Sequence, residues 1–505
     1  MTEKPFPPGS YPVVVVGSGP GALQLTYSLR AHGVDHAVLS ADDAPGGMFR
    51  RWPIFQRMLS WTKPYAQHRP GSPEYERFDW NSLLGNEDET RAIMPTVMDG
   101  ASYFPSRPEM EQGLATFAER AHLSVRYGCE WEATRREGDE FVLATSDGEY
   151  RTKVAIFAVG VAQPWLPSIL RVEGVQQYGG LRPAEGYKDR CIFIVGKQNS
   201  GFEIATGLLP WARQIILASP SPTQLSVDTR TLVGVRARYV QPYEDWALAG
   251  GVVILNSSIE AVVPEGARFK VKTKSADGVA MEFEVDDVIA ATGFECPLRD
   301  LPQLGVATFG QSRLPAQTPF WESATVPGIF FAGTIMQASR GMLKHGIPSN
   351  SGAVQGYRYN ARVLARYVAE RLGKRFDRPR LRVEDVGPYV LREASRGPEL
   401  WHQRSYLSRV LTVSPDGGME DMGIEPLAHF VDDSRSDLPD GVAVALEHNG
   451  RDDPYPALYV RTRGKVSEHL LAPHPLLDFE GDAYQREAAS VLKGMSERAM
   501  SGSKP

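Results

Sequence analysis

Val13-Val14-Val15-Val16-Gly17-Ser18-Gly19-Pro20-Gly21-Ala22 is the stretch on which the reading of the fold turns. Four consecutive β-branched residues suit a strand buried on both faces, as parallel strands are. The residues after them match G-x-G-x-x-A, a turn that carries such a strand into a helix at a dinucleotide site. Gly17 permits the turn, Gly19 lets a pyrophosphate approach the backbone, and Ala22 keeps helix and strand close. Unpaired amide donors at the helix start then face the anion.

The chain is 505 residues long with 42% hydrophobic content, enough for about three domains. No apolar run approaches the roughly 18 residues of a membrane span, and residues 1–10 lack the apolar core of a signal, so a cytoplasmic location is expected. Three cysteines, Cys129, Cys191 and Cys296, stand far apart, with no C-x-x-C pair. A net charge of −6 gives no basic footprint for nucleic acid.

Beyond the turn, a short helix ends at Gly33, and residues 36–39 read as the second strand of a β-α-β unit. An acid usually binds the ribose near its end; here Ser40 stands in that place, leaving Asp42 or Asp43 to reach round. Pro45-Gly46-Gly47-Met48-Phe49 again allows close backbone approach. Residues 50–81 form an irregular stretch punctuated by Pro53, Pro64, Pro70 and Pro73, suited to a wall over a planar ligand. Trp61 and Trp80 fit that wall or ordinary packing equally. A helix is expected over 109–121, then a strand, a hairpin, and a strand ending Phe157-Ala158-Val159-Gly160.

Residues 191–203 repeat the opening architecture, with Gly196 and Gly201 as outer members and Gln198 replacing the middle glycine. A side chain there restricts the approach of a pyrophosphate, which Asn199 and Ser200 would also meet. Twenty-three residues after Gly196, as after Gly17, the next strand ends at a serine, Ser219. No acid stands there, and Arg230, Arg236 and Arg238 are near enough in sequence to meet a 2′-phosphate, favouring NADPH. A solvated surface is the alternative for these arginines. Further strands end at Ala291-Thr292-Gly293-Phe294 and at Phe331-Ala332-Gly333-Thr334. A helix over about 351–372 follows, capped by Asn350 or Ser351, its dipole able to stabilise negative charge on a reduced flavin.

In residues 377–505, strands are expected near 406–413, 442–447 and 457–463, with Asn449-Gly450 as a hairpin signal and a helix over 483–493. His402, His429, His448, His469 and His474 lack metal-ligand spacing, so no metal is expected. Covering the active site, binding a partner and making a contact in a homo-oligomer all remain open for this unit.

The glycine turns and strand ends, in this order and spacing, resemble the two-dinucleotide-binding-domain flavoproteins, among them the class B flavin monooxygenases. Gly46-Gly47-Met48-Phe49-Arg50, Ser60 and Lys63, Asp79-Trp80-Asn81-Ser82-Leu83-Leu84 and Gly356-Tyr357-Arg358-Tyr359 are similar to the FAD-dependent oxidoreductase domain-containing proteins. The linker Tyr178-Gly179-Gly180-Leu181-Arg182-Pro183-Ala184 lacks the histidine of the Baeyer-Villiger motif, and Thr334 stands where disulfide reductases carry an aspartate. The resemblance implies an α/β fold of two Rossmann-like dinucleotide-binding domains, the NADPH domain inserted in a discontinuous FAD domain, plus a C-terminal α+β extension. The expected divisions are 1–165 and 286–376 for FAD, 166–285 for NADPH and 377–505 for the extension. FAD would be held by Gly17 to Ala22, Asp42, Gly46, Gly47, Met48, Phe49, Gly333 and Thr334, and NADPH by Gly196, Gln198, Asn199, Ser200, Gly201 and Arg230. The expected activity is an NADPH-consuming monooxygenase that oxygenates a small-molecule substrate through a C4a-peroxyflavin, with N-hydroxylation of an amine as the leading expectation. Trp61 would shield the site, and Lys63 is the polar candidate beside flavin or substrate, an exposed lysine being the alternative. An NADPH oxidase or reductase without oxygen insertion, or a flavin-bound partner-recruiting protein, remains the competing expectation.

Overall fold

The computed structural model describes residues 4–51, 57–226, 234–415, 418–432 and 438–501. Val13–Val16 lies at the centre of a five-stranded parallel sheet ordered Ile329–Phe331, Val154–Phe157, Val13–Val16, His36–Ser40, Arg126–Tyr127. Its side chains alternate between two cores. Val13 and Val15 pack with the helices Pro20–Ala31, Arg107–Arg120 and Val354–Arg371, while Val14 and Val16 pack against Trp131, Phe141, Leu143 and Tyr150 of an antiparallel sheet. All four residues are buried, as the run of β-branched residues requires.

The second unit is a seven-stranded sheet ordered Gln176–Gln177, Asp287–Ala290, Cys191–Val195, Gln214–Ser219, Val252–Glu265, Arg268–Ser275, Ala280–Val285. Its first five strands are parallel, and the last two extend it as antiparallel neighbours. Asp287–Ala290 pairs within this sheet, beside Cys191–Val195. The chain crosses between the units through an antiparallel pair, Gln163–Pro164 with Phe294–Glu295. Trp165 N–H donates to Gly293 O at 2.9 Å and Thr292 Oγ1 to Trp165 O at 2.6 Å, which pins the crossing.

The C-terminal residues form a six-stranded antiparallel sheet, Arg380–Leu381, Met419–Pro426, Leu407–Val413, Gly441–Glu447, Tyr455–Thr462, Lys465–Leu470. Val386–Arg396 and Asp482–Ser501 cover one face, and Leu427–Asp432 packs on the other. Gly441–Glu447 and Tyr455–Thr462 pair as expected, but residues 448–454 connect them and Asn449-Gly450 is not a two-residue turn. Asn449 Oδ1 instead accepts from Arg451 N and Asp452 N, both at 2.9 Å. No helix among the described residues is long and apolar enough to cross a membrane.

Candidate functional site

At the first turn, Gly17 has φ +125°, and a Cβ on it would lie 2.6 Å from Ala158 O. Only glycine tolerates that conformation beside that carbonyl. A Cβ on Gly21 would lie 2.6 Å from Gly333 N and nearer still to its Cα, so this glycine lets the helix start meet the end of the Ile329–Phe331 strand. Gly19 differs: no atom lies within 4 Å of a Cβ built there. It is the extended N-cap of Pro20–Ala31 and has no side-chain cap, which leaves the first helical N–H groups of Gly21 and Ala22 for an anion.

The second glycine pair closes on this turn. Gly46 N–H donates to Ser18 O at 3.1 Å, and a Cβ on Gly47 would stand 3.0 Å from Gly19 Cα. Ser40 Oγ lies 2.8 Å from Ser18 Oγ, and Ser18 donates to the Asp42 carboxylate at 3.2 Å. Asp42 lines the cavity described below, whereas Asp43 pairs with Arg50 at the surface. Asp42 is therefore the carboxylate that faces the cavity beyond Ser40.

These elements bound one continuous cavity of about 1590 Å³, larger than the roughly 300–1,000 Å³ of a site for one small ligand. It runs along Gly17 to Gly21, Ser40, Asp42, Gly47, Met48 and Phe49, then Gly333 and Thr334, and reaches Tyr178, Ser200 and Arg236 of the second unit. Glu130, Trp131 and Arg299 line it as well, with the Arg299 guanidinium 5.7 Å from the Trp131 ring. Gly352, Ala353, Val354 and Gln355 bring the start of Val354–Arg371 to its wall. The N-cap is Ala353, without a side-chain cap, so Asn350 and Ser351 do not fill that role. Asn350 is tied to the C-terminal unit, its backbone N–H donating to Gln403 and its amide to His402 O. The orphan amides of this helix are left for whatever occupies the cavity. Tyr357 lines the wall and is hydrogen-bonded to Thr334; burial raises its hydroxyl pKa. The open Gly19, the two glycine turns and the cavity size together fit FAD and a nicotinamide dinucleotide.

In the second turn, a Cβ on Gly196 would lie 2.9 Å from Ala291 C, and one on Gly201 would strike Gly196 O. Gln198 is exposed at the N-cap of Asn199–Leu208. Asn199 bridges the turn to the next connection, its Nδ2 donating to Gly234 O and its Oδ1 accepting from Arg236 N, each at 3.0 Å. This brings half-buried Arg236 to the cavity, where burial lowers its pKa and no carboxylate among the described residues pairs with it. Arg238 instead lies over the Phe104 and Tyr239 rings, and Arg230 falls outside the described residues. Lys197, which the motif did not single out, is buried and donates to Leu255 O at 2.8 Å and to Asn256 Oδ1.

Glu203 joins the two units. Its carboxylate accepts from Tyr178 Oη at 2.5 Å, Tyr239 Oη at 3.0 Å and the Arg57 backbone N–H. Burial nevertheless pushes it up to about 7. Arg57, Met58, Leu59 and Ser60 line the cavity, so the irregular loop does form a wall, but by these residues. Trp61 and Lys63 are not among the residues that line it. The Trp61 ring packs 4.8 Å from Trp80, which meets His402 edge-on at 5.9 Å. Lys63 is exposed, and its backbone is tied to Phe78 O and Tyr75 Oη. Buried Asp79 holds the loop, accepting from Thr62 Oγ1 at 2.9 Å and Ser82 N at 3.0 Å.

A family model described as pyridine nucleotide-disulphide oxidoreductase matches residues 14–333, more than half of the chain. FAD-dependent oxidoreductase domain-containing protein 2 of Mus musculus is 27% identical over 395 residues, 71% of this chain and 57% of that one. The chain therefore spans less than two thirds of that relative's length. A flavin-containing monooxygenase from Stenotrophomonas maltophilia superposes with a TM-score of 0.54 at 20% identity, covering 72% of this chain and 99% of that one. An ornithine N-hydroxylase from Kutzneria sp. 744 does so with a TM-score of 0.54 at 15% identity, covering 72% and 100%. At these identities the likeness is one of fold.

Proposed function

The chain belongs to the pyridine nucleotide-disulphide oxidoreductase family and is an FAD- and NADP(H)-dependent oxidoreductase, and from that membership we propose that it is an NADPH-consuming monooxygenase acting on a small molecule. The observation that carries this reading is the cavity that runs from the first glycine turn to Ser200 and Arg236 of the second unit with no cysteine among its lining residues. Cys129, Cys191 and Cys296 are free and buried elsewhere, so electrons that reach the flavin have no protein dithiol to pass to. An external acceptor is left. Dioxygen with a soft nucleophile, such as an amine nitrogen, suits a site of this kind; the superposed ornithine N-hydroxylase has such an activity in its name.

Bound here, FAD supplies a two-electron carrier between NADPH and the acceptor. The residues bind, orient and seal. Gly17 to Ala22 would hold its pyrophosphate, Asp42 would accept from a ribose hydroxyl, and Gly46, Gly47, Gly333 and Thr334 would lie toward the ring. The uncapped start of Val354–Arg371 would favour negative charge on the flavin. Met48, Phe49, Met58, Leu59 and Leu343 supply apolar wall that excludes water. Gly196, Gln198, Asn199, Ser200 and Gly201 would hold the phosphates of NADPH together with Arg236, and of these Ser200 and Arg236 line the cavity.

The test is aerobic turnover across a panel of amines and thioethers, with NADPH consumed, peroxide released and oxygenated product measured together. Product rising at the expense of peroxide with one class of substrate supports the proposal. Peroxide equal to NADPH with every compound overturns it in favour of an NADPH oxidase.

A further inference from the structure

Between Gly333 and the helix Val354–Arg371, the chain supplies Arg340, Leu343, Gly346, Pro348 and Ser349 to the cavity wall. This loop is conformationally demanding: Leu343 and His345 have φ of 47° and 56°. Left-handed backbone at such residues persists only where the surroundings impose it.

The surroundings here are the C-terminal unit. Lys344 Nζ pairs with Glu447 and Glu468, and donates to Tyr459 Oη at 3.3 Å. Glu447 is fully buried, and the Lys344 side chain is 17% exposed. Beside it, His345 Nε2 lies 3.2 Å from Tyr455 Oη, and Gly341 packs so closely on the Tyr406 ring that a Cβ would stand 2.6 Å from it. At the end of the loop Gln403 takes over. Its Oε1 accepts from Asn350 N at 3.0 Å, and its Nε2 donates to Ser351 Oγ at 3.0 Å and Asn360 Oδ1 at 2.7 Å.

An ion pair at such a place is a hold on backbone and not only a stabilising contact. A buried carboxylate from one unit meets a lysine flanked by two left-handed residues of the other, and the same short loop faces the cavity. We propose that the C-terminal unit is a working part of the cavity, and that Lys344 is the positioning residue through which its sheet holds the 340–349 loop in the wall. The consequence for a bound flavin rests on the reading of this cavity as the FAD site; the hold itself does not.

The test uses the full chain and three variants: Lys344→Met, Lys344→Arg and the double variant Lys344→Met/Glu447→Gln, which leaves no unpaired buried charge if the single change fails to fold. Hydrogen exchange is followed for 339–353, and iodide quenching is followed on the bound flavin's fluorescence. In Lys344→Met, or in the double variant, exchange in 339–353 is expected to rise by about tenfold or more while the parallel sheets keep their protection. Flavin quenching rises with it, and Lys344→Arg restores both. Unchanged exchange in 339–353 overturns the proposal, as does a rise spread evenly over the whole fold or faster loop exchange with no change in quenching. A protein that takes up no FAD refutes the cofactor reading alone, since exchange still reports the hold.

Discussion

Gly19 and Gly21 stand two residues apart in one turn, yet the structure assigns them opposite sensitivities. A Cβ at Gly19 meets no atom within 4 Å, and the residue is extended with φ −72°. Gly19→Ala is therefore accommodated by the protein, at a cost of roughly 0.5–1 kcal/mol for a poorer N-cap. The added methyl occupies the space through which a pyrophosphate approaches, and a displaced charge-assisted contact costs about 1.5–3 kcal/mol, or roughly ten- to a hundredfold in FAD affinity. At Gly21 the same methyl lies 2.6 Å from Gly333 N, where ordinary contact begins near 3.4 Å. The helix start or the strand end must shift, and overpacking of this kind costs about 1–3 kcal/mol in stability whether or not a ligand is present. Thermal unfolding of the apoprotein, paired with FAD titration by fluorescence, separates the two. The expected result is a near-native apoprotein with weakened FAD binding for Gly19→Ala, and a destabilised apoprotein for Gly21→Ala. Native FAD affinity in Gly19→Ala would refute the assignment of this turn to the pyrophosphate.

Arg236→Ala is expected to raise the KM for NADPH by about tenfold or more while leaving FAD affinity unchanged, because a charge-assisted hydrogen bond is lost only on the second nucleotide; steady-state kinetics and FAD titration check it. Burial lifts Glu203 and Glu425 to about 7, above the ordinary 4.5, so the folded state binds more protons than the unfolded chain between those values and stability falls as pH rises from about 4.5 to 7. Melting temperatures across that range should fall more gently in Glu203→Gln, whose share of the slope is removed; an identical slope contradicts the burial argument. Lys63→Ala is expected to leave kcat and stability within about twofold and 0.5 kcal/mol, as for an exposed side chain off the cavity, and a large loss in kcat would return Lys63 to the site.

Much of the parallel framework was legible because it is written in short-range terms. Val13 to Val16 and Cys191 to Val195 are apolar on both faces, and Gly17, Gly21, Gly196 and Gly201 after them sit where φ is positive or a Cβ has no room. The acid that faces the cavity was half legible: Ser40 ends the strand, and only the turn beyond it decides that Asp42 lines the cavity while Asp43 pairs with Arg50. An irregular aromatic loop carries no period, so nothing local tells which of its residues face the cavity. Residues 57–60 line it, while the Trp61 ring packs tilted against Trp80. The expected caps at Asn350 and Ser351 failed for a related reason. Both residues have the right chemistry, but Gln403 and His402, some fifty residues on, claim their hydrogen bonds. Lys344 had no signal of its own, since its meaning lies in Glu447 and Glu468 of a separate sheet.

The central claim is that one cavity brings NADPH at the Gly196 turn to FAD at the Gly17 turn. Its most direct test is the visible absorbance spectrum of the purified FAD-loaded protein under anaerobic conditions, before and after one equivalent of NADPH. The flavin band is expected to bleach, and to recover on admitting oxygen. A flavin band left intact by NADPH, in protein that demonstrably binds both nucleotides, would contradict it.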